Sequence, residues 1–325
     1  PSQPTKAPVM KTYVYKTVGD VKIQADVYQT APDVAGGHPV VIHLHGGALI
    51  GGTRNGMSGI LTAMCQREGY VMVSGDYRLA PEVKVPEIIA DVRDLLKWVN
   101  DDGPKLFNAQ PGNFAVIGES AGGYLTMMTG LLEPKPRGLV SYYGYGDLDG
   151  EWLTKPSPFY RSEAFRKGKP LLTKEEAYKG VTNQVLTDTL PPHTHGQIYL
   201  YFRQNGLWTQ EVTGFDPVTQ RDKITLYCPV RNITPQYPPI VMLHGTADTD
   251  VPCQKSLDMA AQLKKNRVYH EMIEIPGGGH GFGGGDQQTI MKARVRSYDF
   301  IHEVLSGKLA AAWPNAKTPA SQPTP

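Results

Sequence analysis

Cysteine is scarce in this chain of 325 residues. Cys65, Cys228 and Cys253 show no metal-ligand spacing, and so few argue against a disulfide scaffold. They read as small buried hydrophobes, with at most one pair able to join. Long apolar runs are missing too. No stretch approaches the roughly 18 consecutive apolar residues that span a bilayer, so no membrane span is expected. Charge of one sign is not in excess: 33 Lys and Arg stand against 31 Asp and Glu. With no long basic run, that balance does not point to a nucleic-acid or acidic-membrane partner, and none is expected. Repeats of solenoid period are also lacking. The chain shows no initiator Met and no signal peptide. Its ends, PSQPTKAP and PNAKTPASQPTP, are rich in Pro, Ser, Thr and Ala and read as flexible tails. These features fit a mature exported protein, secreted or periplasmic, and fit a trimmed chain equally.

What is present is an alternation. Tyr13–Val18 and Val21–Tyr28 flank Gly19-Asp20 as a hairpin. PVVIHLH (Pro39–His45), YVMVSGDY (Tyr70–Tyr77), NFAVIG (Asn113–Gly118), GLVSYYGYG (Gly138–Gly146), PPIVMLHG (Pro238–Gly245) and VYHEMIEIP (Val268–Pro276) are apolar runs suited to buried strands. Helical spacing separates them, most clearly in EIIADVRDLLKWVND, where Ile88, Ile89, Val92, Leu95, Leu96 and Val99 form one stripe. Helices are also expected after Ser120, around Ser256–Lys265 and around Thr289–Leu305. This predicts an α/β fold: about eight strands, mostly parallel, with helices on both faces. From about Gly150 to Tyr237 the alternation stops amid prolines and scattered aromatics. The organisation expected is a flexible tail over 1–11, a core over 12–149 and 238–308, an inserted cap over 150–237, and a second tail over 309–325.

Gly118-Glu119-Ser120-Ala121-Gly122 has the form G-x-S-x-G, between a strand and a helix. A sharp turn there leaves a serine strained and exposed, and the flanking glycines prevent collision with neighbouring backbone. Ser120 is therefore the candidate nucleophile. A serine hydroxyl needs a base. Among nine histidines, His280 lies in the glycine-rich loop PGGGHGFGGG between the last strand and last helix. An acid must hold that imidazole. LHGTADTDVP offers Asp248 and Asp250; Asp248 is favoured because it lies nearer the strand end, leaving Asp250 as a loop residue that caps the next helix. In HLHGGALIGG, Gly46 and Gly47 let the backbone fold beside Ser120, and with the Ala121 N–H they are the candidate oxyanion hole. His43 and His45 have no acidic or cysteine neighbour in sequence, which argues against a metal site. No cofactor is expected.

HGGA (His45–Ala48), DYRLAPE (Asp76–Glu82), GESAGG, HGTADTDVP and HGF (His280–Phe282) together resemble the α/β-hydrolase superfamily, and within it the hormone-sensitive-lipase-like carboxylesterases. The resemblance covers roughly Pro39–Leu148 and Pro238–Leu305. It implies an α/β-hydrolase fold with an inserted cap. It also implies a triad of Ser120, Asp248 and His280 cleaving a small-molecule carboxylic ester, with Asp76 and Arg78 as supports of the oxyanion loop. Two departures stand out. Ala48 replaces the third glycine of the HGGG pattern, and few residues precede the first strand, so the cap comes mainly from 150–237. Aromatics in that insertion, Trp152, Phe159, Tyr160, Tyr199, Tyr201, Phe202, Trp208 and Phe215, either line a pocket or form the insertion's own core. Two rivals remain: a serine peptidase of the prolyl-oligopeptidase type, which shares fold and triad order, and a non-catalytic binding protein on the same fold.

Overall fold

The structure is a computed structural model that describes residues 9–29 and 33–309. Most of each expected tail lies outside them. The described margins are packed, however: Val9–Lys11 pair with Val27–Gln29, and Leu309 is buried. The first strand thus begins three residues before the expected core boundary.

Eight strands form one sheet: β1 (Val9–Val18), β2 (Val21–Gln29), β3 (His38–Leu44), β4 (Val71–Gly75), β5 (Ala109–Glu119), β6 (Gly138–Tyr142), β7 (Ile240–Gly245) and β8 (His270–Ile275). Their spatial order is β1-β2-β4-β3-β5-β6-β7-β8. The two pairings β1–β2 and β2–β4 are antiparallel and the rest are parallel.

Both sheet faces are covered, as continuous apolar strands demand. Val40, Ile42, Leu44, Phe114 and Val116 point into one core with α2 (Val85–Asp101) and α4 (Ala121–Thr129). Val41, Met72, Ala115 and Ile117 point into the other, with α1 (Gly59–Glu68) and the helix Gln287–Leu305. The period-2 split along each strand is the pleat itself. A short α3 (Gly103–Phe107) leads into β5. This is the α/β-hydrolase fold that the motifs predicted.

Between β6 and β7 lie eight short helices, the longest being Ile198–Asn205. They pack over the carboxyl ends of the strands. Leu79 N–H donates to Leu186 O at 2.9 Å, Trp208 Nε1 to Ala48 O at 3.2 Å and Thr209 Oγ1 to Leu148 O at 2.7 Å. Phe202 and Trp208 join the main core, whereas Tyr199 lines a cleft. The insertion's aromatics therefore divide between the two expected roles. Among the described residues no helix is long and apolar enough to cross a membrane.

Candidate active site

The strand order sets up the site. β3 and β6 flank β5, with Leu44 opposite Gly118 and Glu119 opposite Tyr142. The loop after β3 therefore lies to one side of Ser120, and the loops after β7 and β8 lie to the other. Ser120 sits at φ 54°, ψ −118°, off the regions open to ordinary residues, between β5 and α4. Its N–H donates to Tyr142 O at 2.9 Å, and its carbonyl accepts from Tyr124 N–H at 3.0 Å. These bonds tie the strained turn at both ends. At Gly122 a Cβ would strike Leu44 O and would stand 2.7 Å from His45 O. Glycine is required there because α4 starts against the end of β3.

Ser120 Oγ lies 3.0 Å from His280 Nε2, and His280 Nδ1 lies 2.8 Å from Asp248 Oδ2. The carboxylate fixes the ring proton on Nδ1, leaving the Nε2 lone pair to accept the Ser120 hydroxyl. Backbone bonds hold the two loops together: Thr246 N–H donates to Ile275 O at 3.0 Å and Ala247 N–H to Gly278 O at 2.9 Å. The His280 ring meets Tyr143 edge-on at 4.8 Å between centroids. Tyr143, at φ 38°, also packs edge-on against Phe282.

Asp248 is supported from several directions. Its Oδ1 accepts from the N–H groups of Asp250 (2.9 Å) and Val251 (3.0 Å), and its Oδ2 stands 3.3 Å from the buried His244 Nε2. Burial pushes this carboxyl up. Hydrogen bonds from His244, His280 and the Val251 N–H outweigh that and hold it well below the usual carboxylate range. For His280, burial lowers the pKa, but the hydrogen bond and charge of Asp248 and the charge of Asp250 raise it above the ordinary value, with Arg203 opposing.

Asp250 does not cap the following helix, as the sequence suggested. That helix, Gln254–Lys265, starts after Cys253 without a side-chain cap. Instead Asp250 faces the insertion, where it accepts from Tyr160, Tyr199 and Arg203, and it lies across the imidazole from Asp248, with Oδ2 3.7 Å from His280 Nε2. Asp250's partners lie 90, 51 and 47 residues away, which no local pattern shows.

Gly46 and Gly47 line the same cleft, of about 610 Å³, together with Ser120, His280, Tyr143, Thr189, His195, Tyr199 and Asp250. A Cβ at Gly46 would lie 2.9 Å from Glu119 O and 3.3 Å from Ser120 Cβ, so the loop runs directly beside the serine. Among the described residues, the N–H groups of Gly46, Gly47 and Ala121 make no hydrogen bond. Ala48 adopts φ 58°, so alanine takes the left-handed conformation that glycine would accept more easily. The loop is braced by Tyr77, which donates to His45 O at 2.8 Å and stacks on the His45 ring at 4.3 Å, and by Ala80 N–H donating to Leu49 O. Asp76 pairs with Arg54, and Arg78 makes a two-pronged bond to Asp91, so neither reaches the cleft.

Buried histidines outside the triad gain acidic partners in space. His43 Nε2 lies 2.9 Å from Glu119 and its Nδ1 2.9 Å from Ser74 Oγ; His195 lies 3.0 Å from Glu82 and 2.5 Å from Ile50 O. Desolvation lowers the His45 pKa to about 4. Among the described residues no cluster of three or more His, Cys, Asp or Glu is placed to hold a metal ion. All three cysteines are free.

Comparison with known proteins agrees with this architecture. The chain is 31% identical over 154 residues to the non-reducing polyketide synthase atr1 of Stereocaulon alpinum, which is 44% of this chain and 6% of that protein. It is 25% identical over 245 residues to esterase LipC of Mycobacterium tuberculosis, covering 75% of this chain and about half (53%) of LipC. The chain thus spans a small part of the synthase and about half of LipC. The solved esterase of Pyrobaculum calidifontis superposes with a TM-score of 0.64 at 22% identity, over 94% of this chain and 87% of that one. Residues 25–263, well over half of the sequence, match the BD-FAE family, and the chain belongs to that family.

Proposed function

We propose that the protein is a serine hydrolase of carboxylic esters. The carrying observation is the continuous line from Ser120 Oγ through His280 to Asp248, 3.0 and 2.8 Å long, built from three separate loops. Ser120 Oγ attacks the ester carbonyl while His280 Nε2 takes its proton. The N–H groups of Gly46, Gly47 and Ala121 receive the charge on the carbonyl oxygen. The alcohol departs with the proton from Nε2, and water repeats the sequence on the acyl-enzyme. Asp248 keeps the imidazole oriented and stabilises its charged form. A relative named as an esterase, LipC, supports an ester over an amide substrate.

Ser120→Ala should abolish hydrolysis of 4-nitrophenyl butyrate, and a fluorophosphonate probe should label the wild type but not the variant. Wild-type turnover by Ser120→Ala would rule the reading out.

A further inference from the structure

Three donors from the insertion converge on one oxygen of Asp250. Tyr160 OH donates to Oδ1 at 2.9 Å, Arg203 Nη1 at 2.6 Å, and Tyr199 OH to the same atom. Arg203 Nη2 also donates to the Asp250 backbone carbonyl at 3.0 Å. Tyr199 and Arg203 are four residues apart on one helix face. The guanidinium is buried, with the rings of Trp152 and Tyr160 each 5.2 Å away. This clamp fixes the direction of the carboxylate. Oδ1 is saturated. Oδ2 has no hydrogen bond from the described residues and faces the cleft, 3.7 Å from His280 Nε2.

Nε2 is where the departing alcohol collects its proton under the ester-hydrolase reading, on which this inference rests. The ester oxygen must come within about 3 Å of that nitrogen. A hydroxyl on the next carbon but one then falls within reach of Oδ2. We propose that Asp250 determines specificity for the alcohol part of the substrate, selecting esters whose alcohol carries a second hydroxyl beside the ester oxygen. An alkyl group in that place would strip water from Oδ2 and give nothing back. An ether oxygen would set acceptor against acceptor.

The test compares kcat/KM for 2-hydroxyethyl, propyl and 2-methoxyethyl butyrate, with 4-nitrophenyl butyrate as the gauge of the triad. The wild type should favour 2-hydroxyethyl over propyl butyrate by about tenfold or more. In Asp250→Asn the amide oxygen keeps the Oδ1 donors and the NH₂ group turns to the cleft. Hydroxyl and ether oxygens can both accept from that group, so the preference for the 2-hydroxyethyl over the 2-methoxyethyl ester should collapse. Independently of any variant, 1,2-ethanediol should inhibit the wild type more strongly than 1-propanol. Equal wild-type kcat/KM for the hydroxyethyl and propyl esters, or an unchanged ratio of hydroxyethyl to methoxyethyl ester in Asp250→Asn, would overturn the selection while leaving ester hydrolysis standing. No turnover of 4-nitrophenyl butyrate by the wild type would overturn both.

Discussion

His244 Nε2 lies 3.3 Å from Asp248 Oδ2, the same oxygen that faces His280 Nδ1 at 2.8 Å. The Val251 carbonyl, 2.9 Å from His244 Nε2, is a second acceptor there, so the proton sits on Nε2 and Nδ1 accepts from Ser256 Oγ at 2.7 Å. One carboxylate oxygen thus serves two imidazoles, one fully buried and one opening on the cleft.

From this relation, Asp248→Asn should lower kcat by about 10⁴, because the amide presents the wrong partner to Nδ1–H. His244→Leu should lower kcat by about tenfold, ~1.4 kcal/mol, with KM nearly unchanged. Steady-state kinetics on 4-nitrophenyl butyrate separates the two. Equal losses would show that His244 holds the fold rather than the acid.

The pH profile follows from the groups around His280. Asp248 and Asp250 raise its pKa above the ordinary 6.5, against burial and Arg203. The base must be neutral to take the serine proton. Activity should therefore fall as pH drops through a midpoint above 6.5, and Asp250→Asn, by removing one negative charge, should move that midpoint down. A kcat/KM profile of both proteins checks the direction; a midpoint unmoved or raised in the variant would contradict it.

Gly46 has no left-handed φ, so a substitution there acts through space alone. Gly46→Val would press on Glu119 O and Ser120 Cβ and push the glycine loop away from the serine. The expected loss is about 10²–10³ in kcat, the scale of one missing oxyanion donor. Fluorophosphonate labelling should slow in parallel, while circular dichroism stays that of the wild type.

Arg78 contributes to stability rather than chemistry. Its guanidinium meets both oxygens of the fully buried Asp91 at 2.8 Å, and Lys16 Nζ is 2.7 Å from the same carboxylate. Arg78→Met should destabilise by about 3 kcal/mol, the low end for a broken buried pair because Lys16 remains. Thermal denaturation should show a Tm lowered by several degrees.

The strands and their order along the chain were legible because parallel strands buried on both faces read as unbroken apolar runs. Ser120, Asp248 and His280 stood out because glycine patterns marked their turns, and the structure brings these three together. Asp250 was misjudged as a helix cap, since its partners are fixed by how the insertion folds over the sheet. Glu119–His43, Glu82–His195 and His244–Asp248 escaped notice for a related reason. Each depends on which way a buried side chain turns, and periodicity reports the face of an element, not its hydrogen-bond partners. Across 150–237 the helices are mostly four to eight residues long, too short to print a repeat.

The clamp on Asp250 bears on how enzymes of this architecture diversify. Tyr160, Tyr199 and Arg203 lie in the segment between β6 and β7, but the carboxylate they grip belongs to the loop after β7. A chimaera that exchanged the segment alone would strand a buried guanidinium on one side of the graft or an ungripped acid on the other. Recombination here must carry position 250 along with its three donors, so under the role proposed for Asp250 the heritable unit of substrate choice crosses the boundary between insertion and scaffold.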